Sequence, residues 1–169
     1  LRRGASLLET VLYIALVVFL LAAVLTTFIQ LSDTYQRARA KRVANQNGLA
    51  AMERMLREIR LAHDIDDAGS SFGTHPGELT LDTIESPSDP TATTRRFSLS
   101  GTALVLSEGG GADAPLTSGA RITDLKFYST TTERDTRAIR IEMTVEAGNG
   151  ESLISLPFAA SAVLRETYQ

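Results

Sequence analysis

Val11-Leu12-Tyr13-Ile14-Ala15-Leu16-Val17-Val18-Phe19-Leu20-Leu21-Ala22-Ala23-Val24-Leu25-Thr26-Thr27-Phe28-Ile29 is apolar throughout except for two threonines. No charged residue lies between Glu9 and Asp33. A bilayer core needs roughly 20 such residues at helical rise, so this run is long enough to span one. A cleavable secretory signal has a shorter apolar core, about 7–15 residues, although Leu21-Ala22-Ala23 offers small residues for a cleavage site. A buried helix of a soluble protein is a weaker rival, because nothing later in the chain is large enough to surround it. The reading is a single membrane-spanning helix. Glu9 then stands out, since a carboxylate at the edge of a spanning run costs a few kcal/mol, in order of magnitude, unless it is paired. Two roles stay open for it. It is either a helix-start residue favoured by the macrodipole, or a charge awaiting a positive partner in this chain or a neighbour.

Working outward toward the N-terminus, the chain reads Arg2-Arg3-Gly4-Ala5-Ser6-Leu7-Leu8-Glu9. This segment resembles the processing site of type IV prepilins and type II secretion pseudopilins. That family has a basic leader ending in Gly, a hydrophobic residue, Thr or Ser, two aliphatics, Glu, and a long apolar helix. Gly4, Ser6, Leu7, Leu8 and Glu9 fall at the family's positions, while Ala5 stands where Phe or Met is usual. The resemblance implies a leader charged by Arg2 and Arg3. It also implies cleavage between Gly4 and Ala5 by a prepilin peptidase, with N-methylation of Ala5. It further implies that Glu9 pairs with the terminal amine of a neighbouring subunit, an attraction that low dielectric strengthens. The spanning helix carries no breaker, for residues 5–47 contain neither Gly nor Pro.

Toward the C-terminus the helical pattern continues. Leu31, Tyr35, Ala38, Arg42, Asn45, Leu49, Met52, Leu56, Ile59 and His63 recur at alternating spacings of three and four. This predicts one helix to about His63, roughly 90 Å long at 1.5 Å per residue. The apolar face is convincing from Leu49 to Ile59 and poor around Arg42 and Asn45. The second half of the stem is therefore expected to pack on the protein's own sheet, the repeat being too short for an independent coiled coil. Arg37, Arg39, Lys41 and Arg42 have three open readings: a solvated stem face, a headgroup anchor, or a surface for acidic neighbours. By charge alone they pull the C-terminal side toward the cytoplasm, against Arg2 and Arg3. The extracytoplasmic placement of the C-terminal part therefore comes from the resemblance.

From Asp64 the period changes from helical to alternating. Asp66-Asp67-Ala68-Gly69-Ser70-Ser71 is expected to end the helix. Leu79/Leu81, Phe97/Leu99, Leu104/Leu106, residues 122–127, Ile139/Ile141/Met143/Val145 and Leu156/Phe158 read as strands bounded by turn formers. Gly101 predicts a tight hairpin between Leu99 and Leu104, and Gly148-Asn149-Gly150 a second. Residues 86–94 and 108–115 read as loops. The expected class is α+β: a long N-terminal helix, half membrane-spanning and half amphipathic, packed on an antiparallel sheet. Such an order is similar to the pilin architecture. Pro115-Leu116-Thr117, the strand after it and the ending at residues 158–165 look like minor pseudopilins of the J type, and like related minor pilins. The division expected is residues 1–4 for the end of the leader, 5–32 for the membrane and assembly helix, 33–63 for the stem, and 64–169 for an extracytoplasmic β-rich part.

Composition narrows the chemistry. The 169 residues hold no Cys, which excludes disulfides, Cys-based zinc sites and thiol nucleophiles. Residues 1–63 carry nine basic and four acidic side chains, and residues 64–169 eight and sixteen, so the two parts face different surroundings. His63-Asp64-Ile65-Asp66-Asp67 lacks the spacing of an EF-hand or a zinc helix. His75-Pro76-Gly77 reads as a turn. Glu108-Gly109-Gly110-Gly111 lacks the Gly-Lys-Ser/Thr ending of a phosphate loop. No Gly-x-Ser-x-Gly elbow occurs. Arg95-Arg96-Phe97 sits in an acidic part, which opposes nucleic-acid phosphate. No enzyme, cofactor or metal is expected.

The function the resemblance implies is a structural subunit: a minor pilin or pseudopilin of a type IV pilus or type II secretion-like filament, in its initiation or tip complex. Its partners would be other pilin-like subunits, the prepilin peptidase, the inner-membrane assembly platform and the lipid bilayer, with no nucleic acid. Its place would be the inner membrane as a single-pass protein, and then the filament. The competing reading is a single-pass receptor or adhesin whose β-rich domain binds a ligand and never polymerises. A membrane-tethered hydrolase is a weaker third.

Overall fold

The computed structural model describes residues 7–86, 89–131 and 137–164. Its first element, α1, is one uninterrupted helix, Leu7–Leu61, of 55 residues and about 80 Å at helical rise. Two polar side chains inside the apolar run are satisfied without a partner element. Thr26 Oγ1 donates to the Ala22 carbonyl and Thr27 Oγ1 to the Ala23 carbonyl, each at 2.9 Å. Such back-bonding keeps hydroxyls acceptable in lipid. The helix ends two residues before His63, because the His63 N–H is taken by the Asp82 carbonyl at 2.8 Å. The Asp66–Ser71 turn formers therefore do not terminate the helix. Asp66 Oδ1 accepts the N–H groups of Ala68 and Gly69, which makes a turn between the first two strands.

Among the described residues eight strands follow, and they form two antiparallel sheets where the sequence suggested one. The first contains β1 (Asp64–Ile65), β2 (Leu79–Ser86), β3 (Asp89–Ser100), β4 (Ala103–Glu108) and β5 (Ala114–Pro115), in that spatial order. The second contains β6 (Arg121–Thr131), β7 (Arg137–Ala147) and β8 (Ile154–Val163). Their edges are joined by the segment before β2, whose Gly73 and Gly77 N–H groups donate to the Phe127 and Leu125 carbonyls. The Gly101 hairpin forms with Leu99 opposite Leu104, and Gly101 has the positive φ of 63° that such a turn favours. The β7–β8 connection runs from Ala147 to Ile154 and includes a 3-10 turn, Gly150–Ser152.

All six alternating segments lie in strands. In β6 the register shifts between Ile122 and Asp124, so Ile122 and Leu125 both reach the core although they stand three positions apart. Residues 89–94, read as loop, instead extend β3 and pair with β2. The β-branched Thr91, Thr93 and Thr94 suit that extended backbone. Likewise Ala114 and Pro115 leave the expected loop to pair with β4.

The largest correction concerns which helix face is buried. Ala40, Ala44, Gly48, Ala51, Met52, Met55 and Ile59 are covered, chiefly by β7 and β8. Of the expected packing face from Leu49 to Ile59, Met52 and Ile59 lie fully inside and Leu56 is half-buried, whereas Leu49 is 49% exposed. Hydrophobic size misled the reading. The seat against β8 is made of small residues that let the backbones approach, and Phe158 fills the space they leave. Phe97, Phe127, Leu79, Leu104, Ile139 and Ile141 complete the core beneath Met55 and Ile59.

Candidate functional site

Every residue from 7 to 39 is exposed, and at Ala40 burial begins abruptly. The fold therefore covers none of the apolar run. Leu8, Phe19, Val24 and Phe28 are all more than two-thirds exposed. Among the described residues this is the one helix long and apolar enough to cross a membrane. A contiguous apolar surface of this extent is unstable in water, and it marks a lipid- or protein-facing element.

Glu9 lies in the first turn of α1, where the helix dipole favours a negative charge. It has no cationic partner among the described residues. Arg2, Arg3, Gly4 and Ala5, the cleavage and methylation residues that the resemblance implies, lie outside the described residues. The sequence-derived site is thus represented by Glu9 and the apolar helix behind it.

The other half of α1 is fixed to the domain by polar contacts that sequence reasoning missed. Asn47 donates from Nδ2 to the Val43 carbonyl at 2.9 Å and accepts the Ser118 N–H on Oδ1 at 2.8 Å. Glu58 is 3% exposed and sits between two arginines. Its Oε1 is 2.9 Å from Arg54 Nε, and its Oε2 accepts from Arg95 on β3. Glu108 closes the cluster, with Oε1 at 3.3 Å from Arg54 and 3.6 Å from Arg95. The Nε groups of both arginines make ion pairs by distance but lack hydrogen-bond angles. Glu58 lies three residues after Met55 and one before Ile59, so its place on the buried face was the available signal.

A third latch joins the turn after α1 to the second sheet. Arg137 of β7 donates to Asp67, to Asp64 Oδ1 at 3.3 Å and to the Ile65 carbonyl at 3.2 Å. The hydrogen bond to Asp67, more than any other interaction, raises the guanidinium above its ordinary pKa. This pairing occupies two carboxylates of the His63–Asp67 segment. No group of three or more His, Asp or Glu suited to a metal is present among the described residues.

The remaining motifs are likewise engaged in structure. His75 Nδ1 accepts the Leu125 N–H at 3.0 Å, which fixes its turn against β6. Lys126 donates to Asp124 at 2.8 Å, and that hydrogen bond raises its pKa. Arg95 is held by Glu58 and Arg96 faces Glu78 at 3.4 Å, so both members of the arginine pair have acidic partners. The Gly109 N–H donates to the Thr94 carbonyl, and the triglycine forms a turn beside β4.

No protein-family model matches the chain, and no curated protein or solved structure matches it significantly. A helix anchored rigidly over one half and bare over the other is built to embed in something outside this fold.

Proposed function

We propose that this chain is a minor pilin or pseudopilin, a non-enzymatic structural subunit of a type IV pilus or type II secretion-like filament, acting in its initiation or tip complex. One observation carries the reading. The Gly4-Ala5-Ser6-Leu7-Leu8-Glu9 segment leads directly into an apolar helix that the fold leaves bare, and the same helix continues unbroken into the domain. Membrane anchorage alone requires neither feature. A tether can end in a flexible linker and needs no carboxylate at its start. A subunit that must hold its domain at a set position on a filament benefits from a stiff connection and a register-setting charge. In this reading the chain begins as a single-pass inner-membrane protein with residues 64–169 outside the cytoplasm. It then joins other pilin-like subunits through the apolar helix and Glu9, after processing by the prepilin peptidase and delivery by the assembly platform.

The test is mass spectrometry of the N-terminus of membrane-extracted protein. A mature chain that starts at methylated Ala5 is expected. Recovery of Leu1 intact, or of a start near Ala23, from the native membrane overturns the reading in favour of a plain anchor or a cleaved signal.

A further inference from the structure

Just beyond the apolar run, Arg37, Arg39, Lys41 and Arg42 ring the helix, and none of them makes an ion pair among the described residues. Farther along the chain Arg54, Arg95, Arg96, Arg137 and Arg140 have acidic partners, whereas Arg57, Arg60 and Arg121, like the ring, make no ion pair among the described residues. Between this ring and the domain lies an open cleft of about 480 Å³. The stem lines it with Gln36, Arg39 and Val43, and the domain with Ser118, Asn149 and Ser152. Its size falls in the range of about 300–1,000 Å³ usual for small-molecule sites.

We propose that this cleft seats the headgroup of an anionic phospholipid, with its phosphate against Arg39 and its acyl chains along the helix. The occupant follows from position. Gln36 lies five residues past Leu31, about 8 Å at helical rise, which is within the headgroup layer bordering a hydrocarbon core that ends near Leu31. Helical side chains lean toward the N-terminus, here toward the bilayer, so Arg39 reaches down to phosphate level. Leu25, Ile29, Ser32 and Gln36 follow one another at spacings of three or four, so the cleft and the apolar face below it lie along one line of the helix.

Chemistry agrees with geometry. A guanidinium forms strong charge-assisted bonds to phosphate oxygens. Gln36, Asn149 and Ser118 supply neutral donors suited to a headgroup's ester and hydroxyl oxygens. The Ser152 hydroxyl donates to the Asn149 carbonyl at 2.8 Å and stiffens the far wall. Asp33, Glu146 and Glu151 are the acidic residues nearest in sequence to the lining, against four cations in the ring. The proposal rests on the helix lying in a bilayer and not on polymerisation, so a non-polymerising receptor would share it.

The experiment uses the full chain in a mild non-ionic detergent, with phosphatidylglycerol or phosphatidylcholine of the same acyl chains added and retention read by native mass spectrometry. Preferential retention of phosphatidylglycerol is expected, on the order of tenfold, because both lipids offer a phosphate but the choline cation of phosphatidylcholine is repelled by the arginine cluster, whereas glycerol is neutral. Arg39→Gln and the cleft-filling Ser118→Phe should each abolish the preference, the second without changing charge. Arg37→Gln should largely keep it. Inorganic phosphate at millimolar concentration should not displace the lipid; full displacement would show a free-phosphate site and overturn the lipid assignment. Equal retention of both lipids overturns the proposal. So does equal loss in Arg37→Gln and Arg39→Gln with Ser118→Phe unaffected, which would indicate diffuse charge attraction or a surface for an acidic protein. The N-terminal mass of the same sample reads the filament proposal separately.

Discussion

Gly48 on α1 faces the ring of Phe158 on β8 so closely that a methyl group at residue 48 would lie 2.3 Å from two ring carbons. Helix and sheet approach at this point because one partner has no side chain. Gly48 is the single Gly in α1, which has no Pro, and it carries a propensity cost of about 1 kcal/mol relative to Ala. What it provides is the seat for a half-buried aromatic.

Gly48→Ala therefore sets two effects against each other. Propensity favours the variant by about 1 kcal/mol, while overpacking costs typically 1–3 kcal/mol. The net expectation is destabilisation of about 1 kcal/mol, since the ring must leave its seat. Phe158→Leu should itself destabilise the domain, yet the Gly48→Ala change should cost less in that background. Denaturant unfolding of the four members of the cycle checks this, and additive effects would show that the two residues do not oppose each other.

Glu58→Ala leaves the guanidinium groups of Arg54 and Arg95 without their buried carboxylate. Removing one member of a buried ion cluster costs about 3–5 kcal/mol; partial exposure of Arg54 places the expectation at the lower end. Glu58→Ala combined with Arg95→Ala should recover part of the loss. An effect below about 0.5 kcal/mol for the single variant would place Glu58 among ordinary surface ion pairs.

Much of this fold was legible because strands advertise a period of two. Ile139, Ile141, Met143 and Val145 alternate cleanly, and all four are buried. Gly101 marked its hairpin through the backbone angle it permits. The buried helix face was not legible, because Ala40, Ala44, Gly48 and Ala51 carry little hydrophobic signal while the more exposed Leu49 carries much. Their burial reflects backbone approach, which is a property of the partner strand. The Glu58 cluster was hidden for a related reason. Its arginine on β3 is 37 residues away, and nothing local links the two. The apolar run after Glu9 was visible at once as a charge gap, and the fold leaves it bare.

Removal of residues 1–32 should yield a soluble, folded α+β monomer. The bare apolar surface goes, while the seated half from Ala40 to Ile59 remains to cover the sheets. A chain beginning at Asp64 should aggregate instead, because β7 and β8 would expose the face that the stem covers. Circular dichroism and sedimentation of the two fragments separate the outcomes. Equal folding of both would mean that the stem contributes nothing to the core.

If the chain is the filament subunit proposed, Glu9→Ala should leave membrane insertion intact or improved and should weaken association with its partner subunits. Taking a charge out of an apolar run lowers the insertion cost. In an assembled filament the same change would strand a neighbour's terminal amine in low dielectric, where a half-removed pair costs about 3–5 kcal/mol. Glu9→Gln separates charge from shape, since it keeps the hydrogen-bonding outline and loses the negative charge. If charge pairing sets the register, both variants should fail to cross-link or co-purify with partner subunits while fractionating normally with the membrane. A receptor acting alone would tolerate both. Association of both variants at the wild-type level would return Glu9 to the role of a helix-start residue and remove the main physical support for filament assembly.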